Sequence, residues 1–259
     1  MFSVVVFAGV FAPWLATHDP RAVNFAERFQ APSYNHLFGT DEVGFDVYSR
    51  VLYGARYDLY VSLIVLLIAT GLGSVLGVIA GYFRGRIDEL IMRVADVFLT
   101  MPGLILAMGV AAAAGVRTLE LLVLAVAIRE WAVYTRLVEG IVLSLRERGF
   151  IEAAHAIGAS KWRIIFKHLL PNSLSPIIVQ ATLNVGSIVL TAASLSFLGF
   201  GAPPGEPEWG RMVSDGRAYI QDYPWIILFP GLAIFTTVLG LNLLGDGLRD
   251  ILDPFRKRR

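Results

Sequence analysis

The sequence predicts an all-α, polytopic helical membrane protein, and two observations carry that reading. Its 259 residues are 56% hydrophobic, with a mean hydropathy of +0.63, well above an ordinary soluble domain. Four runs contain no Asp, Glu, Lys, Arg or His: residues 59–83, 97–116, 169–205 and 223–245, which are 25, 20, 37 and 23 residues long. About 20 apolar residues cross a bilayer core of about 30 Å as a helix. In lipid only helices or closed barrels satisfy their own backbone groups, and these runs are too long and continuous for barrel strands.

Taken in order, the first element is Phe2 to Leu15, a 14-residue apolar stretch. It is short for a span and lacks the basic flank and small-residue cleavage site of a secretory leader. It reads as a first transmembrane helix whose beginning is missing or misassigned. Residues 16–56 are polar, with Val47, Val51, Leu52 and Ala55 at helical spacing, so Asp46 to Tyr57 is expected to be an amphipathic helix at the membrane. Thr40 and Asp41 are placed to cap an earlier turn.

The second span, Leu59 to Tyr82, carries Gly73, Gly77 and Gly81 at four-residue spacing, a ridge that allows helices to pack closely in lipid. No lysine follows, so a nucleotide-binding glycine loop is rejected. A basic turn at Phe83–Arg86 leads into a third span, about Leu90 to Val116. Glu89, Arg93 and Asp96 fall on one face at its start, spaced for ion pairing. The fourth span begins at Leu119 and meets Arg129 and Glu130, then Arg136 and Glu139. Charges inside a membrane are costly and face a cavity or a partner helix, so Arg129 and Glu130 are candidates for a translocation path. As neighbours on a helix they point about 100° apart and are not expected to pair with each other. The fifth span runs from about Ser173 to Gly199 and the sixth from about Trp225 to Leu244.

Between the fourth and fifth spans lies a charged stretch, Arg148 to Asn172. Read as one helix, it gathers Ile151, Ala154, Gly158, Ile165 and, less regularly, Trp162 on one side. Ala153, Ala154 and Gly158 are small enough for another surface to approach the backbone closely, and Pro171 ends this helix or starts the next.

Glu152-Ala153-Ala154, Gly158 and Leu170-Pro171 resemble the "EAA" loop of ABC importer permeases. In that family the loop is a coupling helix seated in a groove of the ATP-hydrolysing subunit. Further stretches are similar to the C-type subunit of the dipeptide, oligopeptide and nickel branch. They are His36 to Val47 with Ser49-Arg50, Gly85 to Pro102, Leu195 to Gly201 with Trp209-Gly210, and Asn242 to Asp250 with Leu252-Asp253-Pro254. The chain departs from that branch at Phe45, where Arg is usual, and between Thr191 and Ala193, where a Glu is frequent.

The resemblance implies an ABC type I importer permease fold, with residues 1–56 as first helix and external segment, 57–254 as the transmembrane core with its coupling loop at 148–171, and 255–259 as a basic cytoplasmic tail. It implies ATPase coupling through Glu152, Ala153, Ala154, Gly158 and Pro171. The implied partners are a second homologous permease, two ATP-binding subunits, an external substrate-binding protein and membrane lipid. The implied place is a prokaryotic inner membrane, and the implied cargo is dipeptides or oligopeptides, with nickel chelates or oligosaccharides as alternatives within the class.

Other readings of the residues are an interfacial amphipathic helix without a partner, a secondary transporter using Arg129 and Glu130, and a membrane enzyme, for which no clustered acid, base or metal set is present. The chain has no GxxxxGK[ST] sequence and so no ATPase site of its own. It has no cysteine, which excludes disulfides and thiolate chemistry. His18, His36, His155 and His168 show no metal-binding spacing, so no metal or cofactor is expected, and no basic stripe points to nucleic acid. Of the 22 Lys and Arg residues, twelve fall in segments that are cytoplasmic if the N-terminus is inside, seven in external segments and three in spans. The positive-inside bias therefore places both termini and the coupling loop in the cytoplasm.

Overall fold

The computed structural model describes residues 2–252; Met1, the Asp253-Pro254 end of the last motif and the basic tail 255–259 lie outside the described residues. Among the described residues there is no strand, only one isolated bridge between Thr40 and Asp46. Among the described residues, three helices are long and apolar enough to cross a membrane: Val47–Phe83, Lys161–Phe197 and Trp225–Ile251. A fourth crossing is formed if the bent pair Gly85–Thr100 and Gly103–Ala114 is counted as one span.

The longest element, α3 (Val47–Phe83), follows α1 (Phe2–Val10) and α2 (Ala12–Leu15). Asp46 caps it, its Oδ2 accepting the Ser49 N–H at 2.8 Å. The expected amphipathic segment and second span are thus one unbroken helix of 37 residues. Glycines set its contact with α6 (Leu119–Arg146). A Cβ on Gly73 would lie 2.6 Å from the Trp131 carbonyl, one on Gly77 2.5 Å from the Thr135 carbonyl, and one on Gly81 2.9 Å from Val142. With no side chain at these three positions the two backbones lie against one another along most of α6.

The expected third span is instead two helices, α4 (Gly85–Thr100) and α5 (Gly103–Ala114), bent by 92°. Pro102 explains the break, since it removes an amide donor and holds Met101 extended, at φ −85° and ψ 136°. The expected acidic and basic cluster also divides. Arg93 pairs with Glu89 at 2.6 Å, while Asp96 reaches across to Arg136 on α6.

After α6 come α7 (Gly149–Ala156), α8 (Lys161–Ile164) and α9 (Leu170–Phe197). A π-helical turn, Ile165–Leu169, joins α8 to α9. Leu170 N–H bonds the Ile165 carbonyl. The wider turn accommodates Pro171, which has no N–H for the usual ladder. The chain then passes through α10 (Trp209–Gly216) into α11 (Trp225–Leu252). Three apolar clusters run along the bundle. One joins α3, α5, α6 and α9 around Val61, Leu122, Val126 and Ile188. One lies at the α7 end around Val138, Ile151 and Leu169. One lies at the opposite end around Val47, Trp209 and Met212.

That opposite end is closed by buried polar contacts. Arg50 donates to the carbonyls of Pro20, Gly205 and Glu206 at 3.0 to 3.1 Å and lies 4.2 Å over the Phe45 ring. At the position where Arg is usual, Phe45 therefore supplies an aromatic face to a cation on α3. Trp209 fills the space left by Gly54 and donates its ring N–H to the Val51 carbonyl at 2.9 Å. Asp58 accepts the Trp209 N–H at 3.2 Å, and Glu208 caps α10 by accepting from Gly210 and Arg211. Both carboxyls are buried.

Two predictions follow from this packing. Gly77→Leu forces α3 from α6 and is expected to cost about 1–3 kcal/mol, read as a lower melting temperature of the detergent-purified protein. Gly71→Leu, where a Cβ meets nothing within 4 Å, is the matched change and is not expected to lower it, since Leu favours a helix over Gly. The second concerns Glu208, whose carboxyl burial pushes up to about 7 from its ordinary 4.5. A raised carboxyl pKa means that the fold favours the protonated form, so this stability is complete below pH 4.5 and is lost as pH rises through about 7. Melting temperature is expected to fall between pH 5 and 8, and Glu208→Gln to flatten that slope.

Candidate coupling surface and central polar pair

At the α7 end, the sequence divides its residues between two faces. Ile151 and Ala154 point inward onto Tyr82, Val138, Val142, Ile164 and Leu169. Ala154 is only 4% exposed, so its small side chain seats α7 on its own bundle and does not face outward. Glu152, Ala153, His155 and Gly158 are exposed. The stretch is two helices rather than one. Gly158 sits at φ +75° and its N–H bonds the His155 carbonyl at 3.0 Å, a left-handed stop that glycine adopts without steric cost. Ser160 then caps α8, accepting the Arg163 N–H at 3.3 Å.

This break changes which residues face inward. Ile164, Ile165 and Leu169 are buried, whereas Trp162, read on the same side as Ile151, Ala154 and Ile165, is exposed and stacks on Phe166 with ring centroids 6.0 Å apart. Ile157, 84% exposed, is a third apolar side chain on the outward surface of this stretch, which also carries the exposed Lys161, Arg163 and Lys167. Pro171 is exposed and lies in the first turn of α9, beyond this surface. Below it, Arg146 from the last turn of α6 donates to the Gly81 and Tyr82 carbonyls at 3.0 and 2.7 Å. That contact closes the end of α3, which otherwise has unpaired carbonyls. Spacing gave no sign of it.

Arg129 and Glu130 lie well inside α6, about 15 Å from its start at 1.5 Å per residue. Contrary to expectation they approach one another, Arg129 Nη1 standing 3.6 Å from Glu130 Oε1. Long side chains bend back across the angle between adjacent positions. Glu130 also accepts a hydrogen bond from the Asn184 amide on α9, which is 3.5 Å from the Tyr134 hydroxyl. The Arg129 stem packs over Gly103 at the start of α5, where a Cβ would lie 2.8 Å from its Cδ. Its Nε is buried without a hydrogen-bond partner. Side-chain exposures of 34% and 15% leave the two charges mostly but not fully covered by this chain. They join the α4–α5 bend, α6 and α9 in one polar layer. Asn184 is its unforeseen member; the signal available was an amide side chain in an uncharged run.

Comparison with known proteins matches residues 73–258 to the family model "Binding-protein-dependent transport system inner membrane component". The chain is 48% identical over 245 residues to the probable D,D-dipeptide transport system permease protein DdpC of Escherichia coli K12, covering 95% of this chain and 82% of that one. It is 48% identical over 252 residues to the dipeptide transport system permease protein DppC of Alkalihalophilus pseudofirmus, covering 97% and 83%. The inward-facing MetNI methionine ABC transporter aligns with a TM-score of 0.65 at 19% identity, over 78% of this chain and 96% of that one, a likeness of fold. With its bundle of apolar helices and a match across most of its length, this chain belongs to the binding-protein-dependent transport system inner membrane components, integral membrane permeases of ABC importers.

Proposed function

We propose that the chain forms half of the translocation path of an ATP-driven importer of dipeptides and short oligopeptides. The observation that carries this reading is the exposed surface around Glu152, Ala153 and Gly158, fixed to the bundle through Ile151 and Ala154 in a chain close to two dipeptide permeases. In this reading a second, related permease completes the path, and two ATP-binding subunits dock on the α7 end. An external binding protein delivers peptide to the opposite end. The subunit sits in a prokaryotic inner membrane with both termini and α7 in the cytoplasm, an orientation favoured by the basic residues. Hydrolysis belongs to the partners, and the work of this chain is mechanical: α7 moves with the ATP-binding subunits, and the helices it is packed on re-expose the path. Pro171 sets the start of the helix that carries this motion into the membrane. Arg129 and Glu130 face the path and give it polar contacts for a zwitterionic peptide.

The test is ATP-driven uptake of a labelled dipeptide by the assembled transporter in proteoliposomes. Gly158→Leu places a side chain at a left-handed position, at a cost of about 1–2 kcal/mol, and sets α7 askew from α8. Assembly is expected to persist while uptake and substrate-stimulated ATP hydrolysis fall several-fold. Arg129→Ala and Glu130→Ala are expected to assemble and to reduce uptake or alter preference among charged peptides. Coupled hydrolysis at the normal level in Gly158→Leu contradicts the docking role, and unchanged uptake in both alanine variants contradicts the path assignment. Uptake of a nickel chelate or an oligosaccharide without peptide contradicts the substrate class.

A further inference from the structure

The four histidines are scattered in sequence, but the fold brings two of them together far from α7. His18, from the segment after α2, and His36 stack with ring centroids 4.6 Å apart. Both turn Nδ1 towards one carboxylate oxygen, Asp46 Oδ1, at 3.7 Å from His18 and 2.9 Å from His36. The three ligating atoms lie within 4.8 Å of one another. From this geometry we propose that His18, His36 and Asp46 bind a divalent transition-metal ion, of the class of Zn2+, as a resident clamp on the external segment.

Zinc–nitrogen and zinc–oxygen bonds of about 2.0–2.2 Å in a tetrahedron put ligand atoms about 3.3–3.5 Å apart. The observed separations of 2.9 and 3.7 Å bracket that spacing. Two imidazoles and one carboxylate form a nitrogen and oxygen set suited to Zn2+, Ni2+ or Cu2+ rather than to Mg2+ or Ca2+.

Each ligand also has a supporting contact. His36 Nε2, on the far side of its ring, lies 3.5 Å from Glu27 Oε2, and Glu27 is itself held by Asn24 at 2.7 Å. A carboxylate behind a histidine fixes its tautomer and strengthens it as a ligand. The second Asp46 oxygen is held by the Ser49 N–H at 2.8 Å. The His18 backbone N–H donates to the Ser49 hydroxyl at 3.0 Å, placing that ring against the first turn of α3. His36 and Asp46 are buried, while His18 is 42% exposed and leaves a side open for the ion to enter. Two separated segments, carrying His18 and His36, would then be joined through one ion to Asp46 at the start of the longest helix. The inference is independent of which substrate the importer carries.

The experiment compares the chelator-treated, assembled transporter with a complex differing only in His18→Ala. Zn2+ binding is titrated by calorimetry, and bound Co2+ is read from its visible ligand-field spectrum. The wild-type complex is expected to bind one more Zn2+ per permease chain than His18→Ala, or to bind it at least about tenfold more tightly, as even the loss of an outer partner has that effect. Zn2+ is expected to raise its melting temperature by a few degrees through preferential binding to the folded form. The Co2+ complex is expected to show a tetrahedral nitrogen–oxygen spectrum that His18→Ala lacks. His18→Ala retains the Asp46 helix cap and so folds; Glu27→Gln, behind His36, is the second variant and is expected to weaken binding without abolishing it. Equal Zn2+ stoichiometry and affinity in the wild-type and His18→Ala complexes overturn the proposal.

Discussion

The closeness of α3 to α6 is the constraint on which the rest of this structure depends. Three glycines spaced one turn apart leave α3 without side chains where it meets the α6 backbone, and no other residue type fits there. Within a bilayer the aqueous hydrophobic effect does not drive helices together, so close packing of this kind supplies much of their association. The functional parts sit along the pair it creates. Arg146 on α6 closes one end of α3, α7 rests on Val138 and Val142 of α6 and on Tyr82 of α3, and Trp209 docks into Gly54 at the other end.

In the proposed mechanism, that arrangement is what carries a displacement of α7 to the membrane interior. Ile151 and Ala154 are buried in one cluster with Tyr82 of α3 and with Val138 and Val142 of α6. Gly158 is the point at which the chain turns out of α7, and from Lys161 it runs as one continuous helix through the wide turn before Pro171. The polar layer of Arg129, Glu130 and Asn184 lies higher on the same α6 and is shared with α9 and the start of α5. Any movement of α6 relative to α9 alters the partners of Glu130.

Much of this was legible in the sequence because membrane helices follow length and charge. The uncharged runs located α3, α9 and α11, and the glycine spacing identified the face of α3 that meets α6. Leu119 was found as the start of α6 from the change in polarity. Side-chain direction was less legible. A helical period cannot show that Gly158 adopts a left-handed turn, so the stretch read as one helix is two, and Trp162 does not share the buried side of Ile151, Ala154 and Ile165. Pro102 lies inside an uncharged run, and the continuity of that run masked the 92° bend. The meeting of His18 with His36, and of Arg146 with the end of α3, depends on the folding of distant segments and leaves no trace in local spacing.

The central claim is that α7 and the α3–α6 pair move as one body while the transporter works. Spin labels at Ala153, on the exposed side of α7, and at Phe83, at the end of α3, allow that distance to be measured by pulsed electron resonance in the assembled complex. Spectra would be recorded without nucleotide and with ATP trapped. The account predicts an unchanged distance distribution between these labels in the two states, while the distance from Ala153 to its counterpart on the partner permease shifts. A change of several ångströms between Ala153 and Phe83 on trapping ATP would contradict it.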